Sequence, residues 1–179
     1  MHNLVVFSGS NQPNFYDDIK QELEVMAQSI DISKFVIWYG GGKEGIMSVL
    51  PHAFHKKGGK VCSIDWEFFV KNYGSASFST NYVMDTFEKR QASLIQKGDV
   101  YLCLPGGVGT LSELFDVLVY NDVHKKDKKI ILFSFQGFFH SIQHFLEEKT
   151  KQGFIKPRNL KNIIIVTEWK DVIRVLNEF

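Results

Sequence analysis

The feature that most constrains this chain is a strand, a glycine turn and a helix compressed into residues 98–113, GDVYLCLPGGVGTLSE. Residues 100–104 are a short run of strand formers, Pro105 to Gly109 interrupt it, and Thr110-Leu111-Ser112-Glu113 opens an amphipathic pattern. Gly106, Gly107 and Gly109 let the backbone take positive φ and leave its N–H groups uncovered by side chains. The following helix adds unpaired N–H groups and the positive end of its dipole, so the unit suits an anion, above all a phosphate. The alternative is a purely structural turn, with Thr110 and Glu113 forming a capping box.

Further strand-like runs at 4–8, 35–39, 60–64, 130–135 and 163–167 alternate with segments of helical spacing. That alternation predicts an α/β fold: a Rossmann-like, doubly wound, mostly parallel sheet with helices on both faces. No linker, repeat or low-complexity stretch divides residues 1–179, and a 44% apolar content is enough for one core, so a single domain is expected. With 21 basic against 20 acidic side chains, neither nucleic acid nor an anionic membrane is indicated as a partner. The lysines at 125, 126, 128 and 129 are read as solvated loop. Cys62 and Cys103 fall within strands and are read as reduced, buried thiols. The N-terminus has no basic region ahead of its apolar run, and no run approaches the ~18 residues of a membrane span. A cytoplasmic location is the expectation.

Several other positions are candidates for a site. The first strand ends in Ser8-Gly9-Ser10, at the sheet edge where doubly wound folds bind ligands, and Ser10 either bonds a ligand or caps the turn. The second strand runs into Gly40-Gly41-Gly42-Lys43-Glu44-Gly45, a literal G-x-G-x-x-G, with Asp65 twenty residues beyond at the end of the next strand. Gly42 is thereby a candidate binding position. Pro51 is expected to kink the following helix or shift its start. Residues 67–84, aromatic and serine-rich without periodicity, read as a long loop with at most one short strand. In the next helix, Phe87, Leu94 and Ile95 define the inward stripe, and spacing puts Arg90 and Gln91 on the same side. An inward arginine must meet an anion, either a core carboxylate or a ligand.

PGGVGTLSE at 105–113, Arg90 at the matching distance upstream and YGGGKEGIM at 39–47 together resemble the Lonely Guy family, often labelled lysine decarboxylase. The similarity extends from the FSGS turn to GFI at 153–155. It implies a Rossmann-like, usually dimeric enzyme that hydrolyses the N-glycosidic bond of a nucleoside 5′-monophosphate such as AMP, releasing free base and ribose 5-phosphate. By position, Arg90 and Glu113 match the family's catalytic pair, and Gly106, Gly107, Gly109 and Thr110 match its phosphate loop. No cofactor or metal is implied, and no lysine stands in a recognisable pyridoxal-phosphate context. The chain departs from the family's M-H-x-R-K pattern: Glu88 and Gln91 stand where histidine and lysine are usual.

Such chemistry passes through an oxocarbenium-like sugar, so a carboxylate near the anomeric carbon stabilises positive charge or takes a proton from water. Glu113 fits that role. Arg90, a permanent cation, would hold the phosphate or ribose and orient Glu113. Two alternatives stay open at this point. One is a non-catalytic carrier of a nucleotide or of molybdenum cofactor, favoured by Glu88 and Gln91; the other is a dinucleotide enzyme using the turn at 40–45 and Asp65.

Overall fold

The computed structural model describes all residues 1–179. Its N-terminal half contains β1 (His2–Phe7), α1 (Tyr16–Ser29), β2 (Phe35–Tyr39), α2 (Gly45–Lys56), β3 (Val61–Trp66), α3 (Glu67–Tyr73) and β4 (Thr80–Met84). The chain continues through α4 (Phe87–Lys97), β5 (Val100–Cys103), α5 (Val108–Val123), β6 (Lys129–Phe133), α6 (His140–Lys151), α7 (Pro157–Leu160), β7 (Ile163–Val166) and α8 (Trp169–Leu176). All seven strands are parallel, in the order β4-β3-β2-β1-β5-β6-β7. No helix is long and apolar enough to cross a membrane.

Burial on both faces explains the unbroken apolar runs. In β1, Leu4 and Val6 join a core beneath α1, α2 and α8, while Val5 and Phe7 join a second core beneath α4 and α5. None of the four is more than 2% exposed. A strand covered on both sides has no polar face, so its sequence does not alternate.

The winding reverses between β1 and β5, which pair from Leu4 opposite Val100 to Phe7 opposite Cys103. Connections diverge there and leave a crevice at the carboxyl ends. Backbone bonds tie its walls: Leu104 N–H donates to Phe7 O (2.9 Å) and Gly9 N–H to Pro105 O (3.2 Å).

Four local expectations need correction. Residues 67–84 hold the one short strand allowed for, the edge strand β4, but also a helix, α3, where only loop was expected. Neither has a buried face, since no residue of α3 is buried and β4 is exposed almost throughout, so neither carries hydrophobic periodicity. Pro51 lies inside α2 and does not shift its start, which is at Gly45; the bond it forfeits is to the Met47 carbonyl in the first turn. Phe87 is 41% exposed and stands over the crevice instead of in the core. Lys128 is not a solvated loop residue: its ammonium lies near the rings of Tyr101 and Tyr120 and donates to the Gln96 carbonyl (3.1 Å).

Candidate active site

The crevice opens into a cavity of about 810 Å³ along the carboxyl edge of β5, β1, β2 and β3. Its floor begins at the glycine loop. Helix α5 starts at Val108, two residues earlier than the sequence pattern implied, with Gly107 at the N-cap and no side-chain cap. The capping box is therefore absent, and Thr110 (3% exposed) and Glu113 (9% exposed) are both turned inward. Thr110 packs under Gly106, where an added side chain would overlap its hydroxyl. Around Gly107 and Gly109, by contrast, no atom lies within 4 Å of where a Cβ would stand. Packing does not require glycine at those two positions, which leave the backbone open to the cavity.

Arg90 enters from α4 with 5% of its surface exposed. Its Nη2 donates to the Gly40 carbonyl (3.2 Å), and its Nη1 lies 3.6 Å from Glu113 Oε1. Nη1 also donates to Gln91 Oε1 (3.5 Å), and Gln91 Nε2 donates to Asp116 Oδ2 (2.9 Å). Gln91 thus relays between the guanidinium and a second carboxylate on α5. The Nε of Arg90 is buried without a partner, as is the Ser8 hydroxyl on the cavity wall. Each is an orphaned group of the kind a ligand or ordered water completes.

Burial pushes the Glu113 carboxyl up to about 7, with Arg90 pulling it down and Asp116 pushing it up. At neutral pH both its protonation states are populated, the condition in which a carboxyl exchanges protons during a reaction. Cys103, fully enclosed behind it, has its thiol raised by the same burial and is inert.

The structure brings Arg90, Gln91, Glu113, Gly106, Gly107, Gly109 and Thr110 to one cavity, which Ser10, next to the Gly9 that bonds Pro105, and Gly42 also line. Ser10 is exposed, and its carbonyl packs against Gly45. Gly42 abuts the Met47 sulfur. In the G-x-G-x-x-G turn, side chains at Gly40 and Gly45 would overlap Arg90 and the Ser10 backbone, so packing accounts for these glycines without a pyrophosphate. Glu88 is exposed, and the carboxylate paired with Arg90 is that of Glu113. Sequence reasoning missed Ser8, Asp116 and Phe138 as cavity neighbours. The spacing of Asp116, three residues after Glu113 on α5, was the one available signal. No group of three or more His, Cys, Asp or Glu side chains is arranged to hold a metal.

The family model described as possible lysine decarboxylase matches residues 47–176. A cytokinin riboside 5′-monophosphate phosphoribohydrolase of Arabidopsis thaliana is 29% identical over 98% of this chain and 82% of its own. A protein of that name from Rhodococcoides fascians is 27% identical, covering 97% and 88%. Among solved structures, the molybdenum cofactor carrier protein of Chlamydomonas reinhardtii superposes with a TM-score of 0.74 at 12% identity, covering 99% and 98%. The molybdenum cofactor binding protein of Rippkaea orientalis gives 0.68 at 17%, covering 99% and 96%. At such identities the superpositions describe the fold alone.

Proposed function

The chain belongs to the Lonely Guy family, whose model is described as possible lysine decarboxylase, and from that premise we propose that it is a nucleoside 5′-monophosphate phosphoribohydrolase. The observation that carries the proposal is the buried Arg90–Glu113 pair, held at 3.6 Å beside the glycine loop. A buried ion pair is poor value for stability alone, because desolvating both charges offsets much of their attraction. At the edge of an open cavity its use is chemical.

In this reading the loop N–H groups from Gly107 onward, with Thr110 and Ser10 nearby, grip the 5′-phosphate. Binding energy from that remote group then holds the C1′–N bond at Glu113. As the C1′–N bond breaks, its electron pair leaves with the base, which takes up a proton from solvent. Positive charge develops on the sugar; ionised Glu113 stabilises that charge and accepts the proton of the water that forms the new C1′–O bond. Arg90 fixes the carboxylate and remains protonated throughout. The products are free base and ribose 5-phosphate, with adenine or an N6-substituted adenine as base. A homodimer, implied by the resemblance, belongs to the same proposal.

The test is chromatographic detection of free base from a panel of nucleoside monophosphates. Wild-type protein releases adenine from AMP, and Glu113→Gln binds AMP but releases none. Absence of release from every purine and pyrimidine monophosphate refutes the proposal. The second reading, a carrier that returns its phosphorylated ligand intact, draws on Gln91, which supplies no cation beside the loop. Thermal stabilisation by AMP with quantitative recovery of the nucleotide would establish it instead.

A further inference from the structure

The same cavity holds another buried carboxyl that the reaction above does not use. Asp65, near the end of β3, is 3% exposed and lines the cavity. Its Oδ2 lies 2.6 Å from the Ser63 hydroxyl. Oδ1 has no protein donor and faces Gly41, where any side chain would overlap it. Gly41, at φ +84°, packs its bare Cα against the carboxyl, and the 3% of Asp65 that stays exposed belongs to the cavity lining.

A count of protons defines the state of the carboxyl. Ser63 has one hydroxyl proton and two close acceptors, Asp65 Oδ2 at 2.6 Å and Asn81 Oδ1 at 2.7 Å. Asn81 Oδ1 accepts from Ser79 as well (2.6 Å), because its amide nitrogen is turned to the Ala76 carbonyl. If Ser63 donates to Asp65, its contact with Asn81 sets two lone-pair oxygens against each other. If Asp65 carries a proton on Oδ2, it donates to Ser63, Ser63 donates to Asn81, and both short contacts of the Ser63 hydroxyl hold a hydrogen, while the longer approaches of Ser79 to Ser63 (3.4 Å) and to the Ala76 carbonyl (3.3 Å) are left without one. Burial also raises the Asp65 carboxyl, against the opposing pull of Ser63 and Arg90. That guanidinium is already engaged by Glu113 and the Gly40 carbonyl. Tyr39, beside Asp65 on β2, is pushed up to about 12 and stays uncharged.

Position indicates what the free oxygen meets. Along the carboxyl edge come the glycine loop after β5, the turn after β1, Arg90 over Gly40 at the end of β2, and then Asp65. With strands about 4.8 Å apart, Asp65 on β3 lies three spacings, roughly 14 Å, from the loop after β5. That is the reach of a nucleotide from its phosphate, past the sugar, to the outer edge of its base.

We propose that Asp65 is a specificity residue, a neutral carboxylic acid whose Oδ1 accepts a hydrogen bond from the exocyclic amine of an adenine-type base. A neutral acceptor reads that edge without setting another anion against the phosphate and Glu113. The proposal rests on the nucleotide reading of the cavity, but not on cleavage.

The experiment is a ligand-by-mutation cycle measured by calorimetry in a Glu113→Gln background, so that ligands stay intact. The ligands are AMP and purine riboside 5′-monophosphate, which differ only in the 6-amino group. With Asp65 present, AMP binds about three- to tenfold more tightly, the worth of one neutral hydrogen bond. Asp65→Asn, a neutral isostere, keeps that preference. Asp65→Leu abolishes it and leaves the affinity of the analogue unchanged; Ser63 retains Asn81 as acceptor, and a melting curve checks the fold. Equal weakening of both ligands by Asp65→Leu, or weakening of neither, overturns the proposal. So does loss of the preference in Asp65→Asn, which would mean that the charged form is needed. Base release by the Glu113 protein is scored separately: a calorimetric preference without release refutes cleavage and leaves Asp65 as assigned, while no binding of either nucleotide overturns both.

Discussion

Gly106 and Gly107 are neighbours in one loop, yet alanine at each has different consequences. At Gly106 a Cβ would overlap the Thr110 side chain and stand 2.7 Å from Gly9 N, where the turns after β5 and β1 are bonded together. Overpacking of that kind costs about 1–3 kcal/mol. For a chain of this length the melting temperature falls by roughly 2–12 °C. At Gly107 nothing lies within 4 Å of the added methyl, and φ −87°, ψ −154° is extended backbone that alanine adopts. Gly107→Ala restricts the unfolded chain, worth about 0.4–1 kcal/mol, but puts alanine, a poorer N-cap than glycine, at the start of α5, and the two effects offset. The melting temperature stays within roughly 2 °C of the wild type. The same methyl fills the approach to the loop N–H groups. Losing one charge-assisted bond to phosphate costs about 1.5–3 kcal/mol, so AMP affinity falls at least about tenfold. Thermal unfolding monitored by circular dichroism, with AMP titration of both variants, provides the readout. A Gly107→Ala protein that melts as the wild type does and still binds AMP equally well would show that no phosphate sits over this loop.

Two further outcomes follow from the ionisable groups. The Glu113 carboxyl is raised from 4.5 to about 7 by burial, so the folded state holds its proton more tightly than the unfolded chain. Its contribution to stability is complete below pH 4.5 and is lost as pH rises through 7, so Glu113→Gln gains on wild type across that window, by up to about 3 kcal/mol in denaturant titrations. Base release should rise over the same window, as the carboxylate forms; a rate flat from pH 5 to 8 would remove Glu113 as the base. Gln91→Lys places a cation opposite Asp116 at the cavity wall. It should lower KM for AMP severalfold, with the gain shrinking as salt is raised, and an unchanged KM at low salt would exclude this position from phosphate binding.

How much was legible in the sequence depended on whether a residue's environment was local. The doubly wound sheet could be read because six of its strands are enclosed on both faces or nearly so, which leaves uninterrupted apolar runs. The seventh, β4, pairs only with β3 and exposes its side chains, so no pattern betrayed it. The inward turn of Arg90 followed from helical spacing, and the cavity holds Arg90 and Glu113 together. The relay through Gln91 to Asp116 and the chain from Asp65 through Ser63 to Asn81 and Ser79 join residues on different elements. Periodicity along one element carries no information about such contacts.

The two glycine turns show why composition alone misdirects. Both line the cavity and both look like ligand loops on paper, but each glycine at 40–45 faces a protein atom that a side chain would strike: Arg90, Asp65, the Met47 sulfur or the Ser10 carbonyl. Those glycines bring β2 close enough for Arg90 to reach the Gly40 carbonyl and for Asp65 to lie against the chain. Gly107 and Gly109 meet nothing. Glycine at 107 and 109 has no reason in the packing of the folded chain, and in the first turn of α5 Gly109 is a poorer helix residue than alanine. Under the proposed function the compensation is a phosphate that needs the backbone bare, held next to the charged side chains that the other turn keeps in place.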